Sequence, residues 1–510
     1  MLTGRATGEG TAAHAAAHRA ALGPPAFTAL GTTGLTVSRL GFGGYRVDDE
    51  TPEHAAALAG ALAGGVNLID TSTNYTDGGS ERCVGRVLAE AVAGGRVTRE
   101  AVVVVSKIGY VQGRNLRLAR EREAAGRPFR EMVQYADGVW HCLHPEFLAD
   151  QLPRSLERLG LASLDVCLLH NPEYFLSDAK RRHQGPLAAL RDEFYRRLAE
   201  AFRFLEGQVA AGTLSWYGVS SNTAAAAPDD PEATSLPRML AAARQAGGAA
   251  HHFRVLQLPL NLFESAGVLE ATCEPAATVL DCAAREGVGV LVNRPLNAIV
   301  GGGMLRLADV AGGGAPADLD AQIEAVAALE AEYRATIAPG IRVPADSTPP
   351  AQFFQWAPQL RGLVGRIGGL THWDQIEGQV AGLVQQIVRA LDGGLEGDLG
   401  AAWQSWRGRY LPALGALLGE LRRRASERSR AASLAVAAAV DPHLPAERRG
   451  ETLSRKALWV LASTPGVASV LVGMRRAAYV DDALGILRWP PLAPARPAYE
   501  AVRGLTPPPR

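Results

Sequence analysis

Short apolar runs alternate along this chain with longer stretches in which apolar residues recur every three or four positions. The short runs fall at 40–43, 66–70, 102–106, 165–169, 216–219, 255–258, 288–292 and 468–472. They are rich in Val, Ile and Leu and too short for helices, which predicts strands. Between them the helical period predicts helices over 52–63, 80–92, 145–158 and 194–209. Ser80 supplies an N-cap and Glu81 an acid in the first turn, where the helix dipole favours it. Strands and helices in strict alternation specify an α/β fold with parallel strands. Eight such strands are the number that closes a (β/α)8 TIM barrel. An open doubly wound sheet would need a glycine-rich phosphate loop between a strand and a helix, and no GxGxxG stands in that context.

The rhythm breaks after the seventh strand. Three stripes at helical spacing follow, through Leu319, Ile323, Val326, Leu329, Tyr333 and Ile337, then Trp373 to Leu391, then Trp403 to Leu421. Stripes of this width face a core. They predict an α-helical insertion over 306–450, between strand seven and its helix, and a smaller inserted loop over 110–143. The expected organisation is a flexible N-terminal extension (1–26), the first part of the barrel (27–305), the insertion, the last part of the barrel (451–490) and a Pro-rich tail (491–510).

Composition narrows the partners. Lys+Arg and Asp+Glu both total 52, so no net field draws the chain to nucleic acid or to an anionic membrane. The uncharged stretch 457–474 is split by Pro465-Gly466, which reads as helix, turn and strand, not as a membrane span. The first 25 residues lack the continuous apolar segment of a signal peptide. The five cysteines form no CxxC pair, so reduced thiols, no metal site and a cytoplasmic protein are expected.

Four residues at predicted strand ends carry the chemistry: Asp70 with Tyr75 after the second strand, Lys107 after the third and His170 after the fourth. The C-terminal ends of barrel strands surround one site. Singly, each reads as an ordinary turn, core, surface or structural residue. Together they are the parts that deliver a proton to a carbonyl oxygen. Tyr75 is a poor acid at its ordinary pKa near 10, and an ammonium such as Lys107 is expected to lower that value. Asp70 can pair with Lys107, and His170 can orient the oxygen by a hydrogen bond.

These residues lie in motifs that resemble the aldo-keto reductase family. The run from Leu30 to Gly44 resembles its N-terminal hairpin and first strand. Asp70-Thr71-Ser72-Thr73-Asn74-Tyr75 with Gly79-Ser80-Glu81 and Gly85 resembles its second strand and following turn. Ser106-Lys107, and Ser155 to Gly160 through His170, resemble the segments that supply the lysine and the histidine. The likeness covers about 27–305 and 452–488.

It implies catalytic roles for Asp70, Tyr75, Lys107 and His170, and NADP(H), with NAD(H) as the alternative, extended across the barrel mouth. By the same likeness Gly44 and Tyr45 lie by the nicotinamide ribose and diphosphate, with Asp70 beside them. Ser220, Ser221, Asn222 and Gln257 hold the carboxamide, although Ser221 stands where the family usually has Asn. In Asn293-Arg294-Pro295-Leu296, Asn293 replaces a stacking aromatic, Arg294 binds a phosphate or carboxylate, and Leu296 completes the strand end. Gly473, Arg475 and Arg476 face the adenosine 2′-phosphate, which favours NADP. The expected activity is NADP(H)-dependent interconversion of a carbonyl and an alcohol on a small molecule. A cofactor-binding regulatory protein with slow turnover, or an internal-redox isomerase or lyase on a sugar-like substrate, are the alternatives. Oligomeric state is left open.

Overall fold

The computed structural model describes residues 1–273, 276–301, 303–344 and 346–505. Eight parallel strands close a barrel. In chain order they are β1 (Leu40–Gly43), β2 (Leu68–Asp70), β3 (Val103–Ile108), β4 (Leu164–His170), β5 (Leu214–Ser220), β6 (Phe253–Pro259), β7 (Gly289–Asn293) and β8 (Val467–Val472). Helices cover the barrel outside, so most strand residues are buried on both faces. That is why the strands read as unbroken apolar runs.

Register sets the site. Ser220 is level with His170 on β4 and with Gln257 on β6, while Gly43 is level with Asp70 and Pro259 with Asn293. The polar residues at the strand ends therefore meet at one rim.

The opposite end is plugged. A hairpin of Phe27–Ala29 and Thr36–Ser38 brings Leu30, Leu35 and Val37 against inward-facing Leu68, Val103, Val166, Val255 and Leu291. Its turn holds Gly31 at φ +54°, where an added Cβ would lie 2.4 Å from the Gly289 nitrogen at the start of β7.

Three expectations are corrected. Residues 1–26 are a helix, Gly8–Leu22, tied to the barrel, not a flexible extension. Thr7 caps the helix by accepting from Gly10 N–H at 3.0 Å, and Ala6 N–H donates to buried Asp165 at 2.7 Å. Its buried face is built from Thr11, His14, Ala15 and Leu22, too small and mixed to show as an apolar stripe. The tail includes a helix, Arg496–Arg503, whose buried Tyr499 hydroxyl lies 2.8 Å from Thr464 Oγ1. The first compact unit comprises Met1–Leu296 and Val440–Arg503, and the second Asn297–Ala439. The second thus begins before 306, because a hairpin of Asn297–Val300 and Gly303–Arg306 follows β7 directly, and it ends before 450.

The segment 110–143 is a three-stranded antiparallel sheet (Tyr110–Val111, Val133–Ala136, Val139–His141) with a helix, Gly113–Ala124. The second unit has its own core, in which Tyr333, Phe354, Trp373, Trp403, Trp406 and Tyr410 are buried. Its buried Glu330 accepts from Trp356 N–H at 2.7 Å and from the Tyr410 hydroxyl at 3.0 Å, which ties three of its helices together.

Candidate active site

Lys107 organises the rim. Its side chain is fully buried and its ammonium has three protons, each with an acceptor: Asp70 Oδ2 at 2.6 Å, the Thr71 carbonyl at 2.9 Å and Tyr75 Oη at 3.1 Å. Burial works against a charged lysine, but the Asp70 carboxylate and the Tyr75 oxygen outweigh it and raise the Lys107 pKa above its usual value. Asp70 Oδ1 accepts from Gln257 Nε2 at 2.8 Å, and Gln257 Oε1 accepts from Ser220 Oγ at 2.9 Å and Asn293 Nδ2 at 3.4 Å. One network therefore joins β2, β3, β5, β6 and β7.

Tyr75 stands five residues beyond β2, at the start of a short 3-10 turn, Tyr75–Gly78. Because its oxygen accepts from Lys107, its own hydrogen is free to be donated elsewhere. Here the expectation of a lowered phenol pKa is corrected. Desolvation outweighs the nearby ammonium and raises it, so Tyr75 is a protonated donor at neutral pH.

His170 ends β4. Burial first, then the Lys107 charge, hold its pKa well below the usual histidine value, so the ring is neutral. Its Nδ1 lies 3.1 Å from Ser72 Oγ. Tyr75 and Tyr110 meet the ring edge-on, at centroid distances of 5.9 and 4.7 Å. His141 Nε2 lies 2.7 Å from the His170 carbonyl, and burial pushes His141 down to about 4, so it too is neutral and donates there.

The remaining candidates divide. Gly44 N–H donates to the Asp70 carbonyl at 2.8 Å, and a Cβ there would lie 2.6 Å from Ser80 Oγ. Tyr45 is 66% exposed and meets Tyr75 edge-on at 5.3 Å. Ser220 and Gln257 join the central network, whereas Ser221 turns to Thr234 Oγ1 at 2.7 Å. Asn222 N–H donates to Glu173 at 2.7 Å, and its side-chain oxygen accepts from Arg294 at 3.3 Å. Arg294, at φ +54°, also pairs with Glu264 at 2.5 Å and so straps the ends of β5, β6 and β7. Leu296 is half-buried at the end of the first unit. Gly473 is exposed after β8, Arg475 is half-buried, and Arg476 lies 3.7 Å from Glu53 on the surface.

The sequence reading missed Tyr110, His141, Glu173 and the partnership of Ser72 with His170. Ser72 lies inside the quoted 70–75 motif, but only the fold shows what it touches. Glu173 is buried and pushed up to about 7, chiefly by desolvation.

Residues 39–230 match the model of the aldo/keto reductase family. Over that stretch of the barrel the chain is similar to that family. Its barrel carries the large helical insertion described above.

Among curated relatives, the chain is 30% identical over 149 residues to the NADH-specific methylglyoxal reductase of Escherichia coli, covering 28% of this chain and 40% of that protein. It is 37% identical over 159 residues to the 6-dehydroglucose reductase of Novosphingobium aromaticivorans, covering 29% of this chain and 43% of that one. The chain thus spans less than half the length of each. A solved aldo-keto reductase of Bacillus halodurans aligns over 93% of this chain and 95% of its own, with 14% identity and a TM-score of 0.45. All five cysteines are free and buried. Among its described residues, no helix is long and apolar enough to cross a membrane.

Proposed function

We propose that this chain interconverts a carbonyl and an alcohol with a nicotinamide cofactor, with Tyr75 as the general acid and base. The observation that carries the reading is the saturation of Lys107. All three of its N–H groups are taken, one by the Tyr75 oxygen, so the hydrogen left to deliver is the phenol's own. Asp70 keeps Lys107 charged and in place, and His170 orients the reacting oxygen.

The residues present fit a nicotinamide. Asn293 Oδ1 is buried without a hydrogen-bond partner among the described residues, an acceptor suited to a carboxamide N–H. Ser220 and Gln257 would share that carboxamide, and Gly44 and Tyr45 would flank the ribose. Asn222 and Arg294 would meet the diphosphate, with Arg294 the charged contact. When bound, the cofactor supplies or takes the hydride at carbon. Arg475 and Arg476 favour NADP(H), while the Escherichia coli relative is NADH-specific by name. The fit of Ser221 is weaker, since its hydroxyl is engaged by Thr234.

The test is binding followed by turnover. NADPH and NADH fluorescence should change on addition of protein, and nicotinamide absorbance should fall with at least one aldehyde from a broad panel that includes oxidised sugars. Binding of neither cofactor would overturn the proposal.

A further inference from the structure

Directly after Tyr75, two successive non-glycine residues stand in the left-handed region: Thr76 at φ +48° and ψ +40°, and Asp77 at φ +53° and ψ +42°. Gly78 follows at φ +85°. An L-residue enters that region at a cost, and usually singly, as glycine, asparagine or aspartate; a β-branched threonine there is an outlier. Both ends of the turn are fixed. The Tyr75 oxygen is held by Lys107, and Ser80, on the helix Gly79–Ala93, donates to the Gly44 carbonyl at 3.0 Å and accepts from Thr71 at 2.8 Å.

A costly turn persists only where its surroundings hold it. Thr76 donates its hydroxyl hydrogen to the Val47 carbonyl at 2.6 Å. Asp77 is held from the inserted segment: its Oδ1 accepts from the Arg114 N–H at 3.0 Å and its Oδ2 from Arg114 Nε at 3.3 Å. Arg114 is in the first turn of the helix Gly113–Ala124, where backbone N–H groups have no partner inside the helix and the dipole favours a carboxylate. Gly113 permits the approach, since at φ +50° an added Cβ would lie 2.4 Å from Asp77 Oδ1. The side-chain amides of Asn74 and Gln112 also meet, at 3.0 Å, a bond that survives turning both amides together. The chain is thus stitched to 112–114 on both sides of Tyr75.

We infer that Asp77 is a positioning residue: by capping the inserted helix it holds the left-handed turn, and through the turn the Tyr75 phenol, in place. The ion pair with Arg114 is exposed, at 63% and 44%, and adds little by itself. The bond to the backbone N–H is the one that fixes the turn. The barrel strands supply Asp70 and Lys107, and the inserted segment supplies the clamp on the residue between them. What the clamp does for turnover rests on Tyr75 as the general acid; where it holds the phenol does not.

The test replaces Asp77 in the full chain by Gly and by Asn. Asp77→Gly removes the acceptor while relieving the backbone of its left-handed cost, so it is harmless if backbone conformation alone matters. Asp77→Asn keeps an acceptor and tolerates the conformation. With a substrate from the aldehyde panel, Asp77→Gly should lower kcat about 10–100-fold with KM and NADPH affinity within about twofold, and Asp77→Asn should recover most of the loss. Gly113→Ala, which drives a Cβ against the carboxylate, should reproduce that loss from the other side. The position of the phenol is read without turnover by NMR of protein labelled with carbon-13 at tyrosine Cζ. The Tyr75 signal, assigned as the one lost in Tyr75→Phe, should move in Asp77→Gly and Gly113→Ala and return in Asp77→Asn. An unmoved Tyr75 signal in Asp77→Gly, or an undiminished kcat in that variant, would overturn the inference. Should Gly113→Ala fail to fold, the two Asp77 variants decide. The spectrum needs no substrate, so a failure here is separable from a failure of the proposed activity.

Discussion

Replacing Lys107 by Met keeps most of the side-chain volume and removes the charge. The ammonium is fully buried and holds three acceptors together, so its loss leaves the Asp70 carboxylate with only Gln257, and the Thr71 carbonyl and Tyr75 oxygen without their donor. Removing one partner of a buried pair strands the other charge, and the typical cost is about 3–5 kcal/mol. Part of that cost can be relieved if Asp70 takes up a proton. Burial already pushes the Asp70 carboxyl upward, and without Lys107 it rises further. A group whose folded pKa lies above its unfolded value favours folding below the unfolded value and loses that contribution as pH rises. The difference in stability between variant and wild type should therefore be about 4 kcal/mol at pH 7 and shrink as pH falls toward 5. Urea unfolding followed by tryptophan fluorescence at the two pH values measures it. The double variant Asp70→Asn with Lys107→Met should recover more than half the loss. A difference below about 1 kcal/mol, or one that does not change with pH, would refute the view of Lys107 and Asp70 as a buried, mutually dependent pair.

His141 is buried and neutral, with a folded pKa of about 4 against 6.5 unfolded. Its contribution is complete above 6.5 and is lost as pH falls toward 4, so wild type should lose about 2.4 kcal/mol between pH 7 and 4.5 that His141→Gln does not. Equal pH dependence of the two urea midpoints would count against this. Deleting residues 2–22 removes the buried Leu22 side chain and the donor from Ala6 to Asp165, and should cost about 3 kcal/mol. An unchanged Tm would return these residues to the status of a flexible extension.

The barrel was legible because each strand is sandwiched between the barrel interior and a helix, which leaves a short unbroken apolar run. The N-terminal helix was not, because Ala15, Thr11 and His14 on its buried face carry little apolar signal. The hairpin at Asn297–Arg306 was lost for another reason: it follows β7 in the chain after only three residues and bears no helical period. At the site, Asp70, Lys107 and His170 could be placed from the sequence because strand ends in a parallel barrel converge. Partnerships across the barrel could not. Gln257 meeting Asp70, Ser221 turning to Thr234 and Ser72 meeting His170 all depend on register and on a turn's geometry. The direction of the Tyr75 pKa depends on how completely the phenol is desolvated, a property of the packed site that no residue pattern encodes.

The central claim is that the hydrogen on the Tyr75 oxygen is the one delivered. Tyr75→Phe removes that oxygen and keeps the ring, so the edge-on contacts with Tyr45 and His170 survive. With a substrate found in the aldehyde panel, NADPH oxidation should fall by a factor of about 10²–10⁴, the usual worth of a general acid, while NADPH binding by fluorescence stays within about twofold, since the loss falls on the transition state. Turnover that is undiminished in Tyr75→Phe would contradict the account.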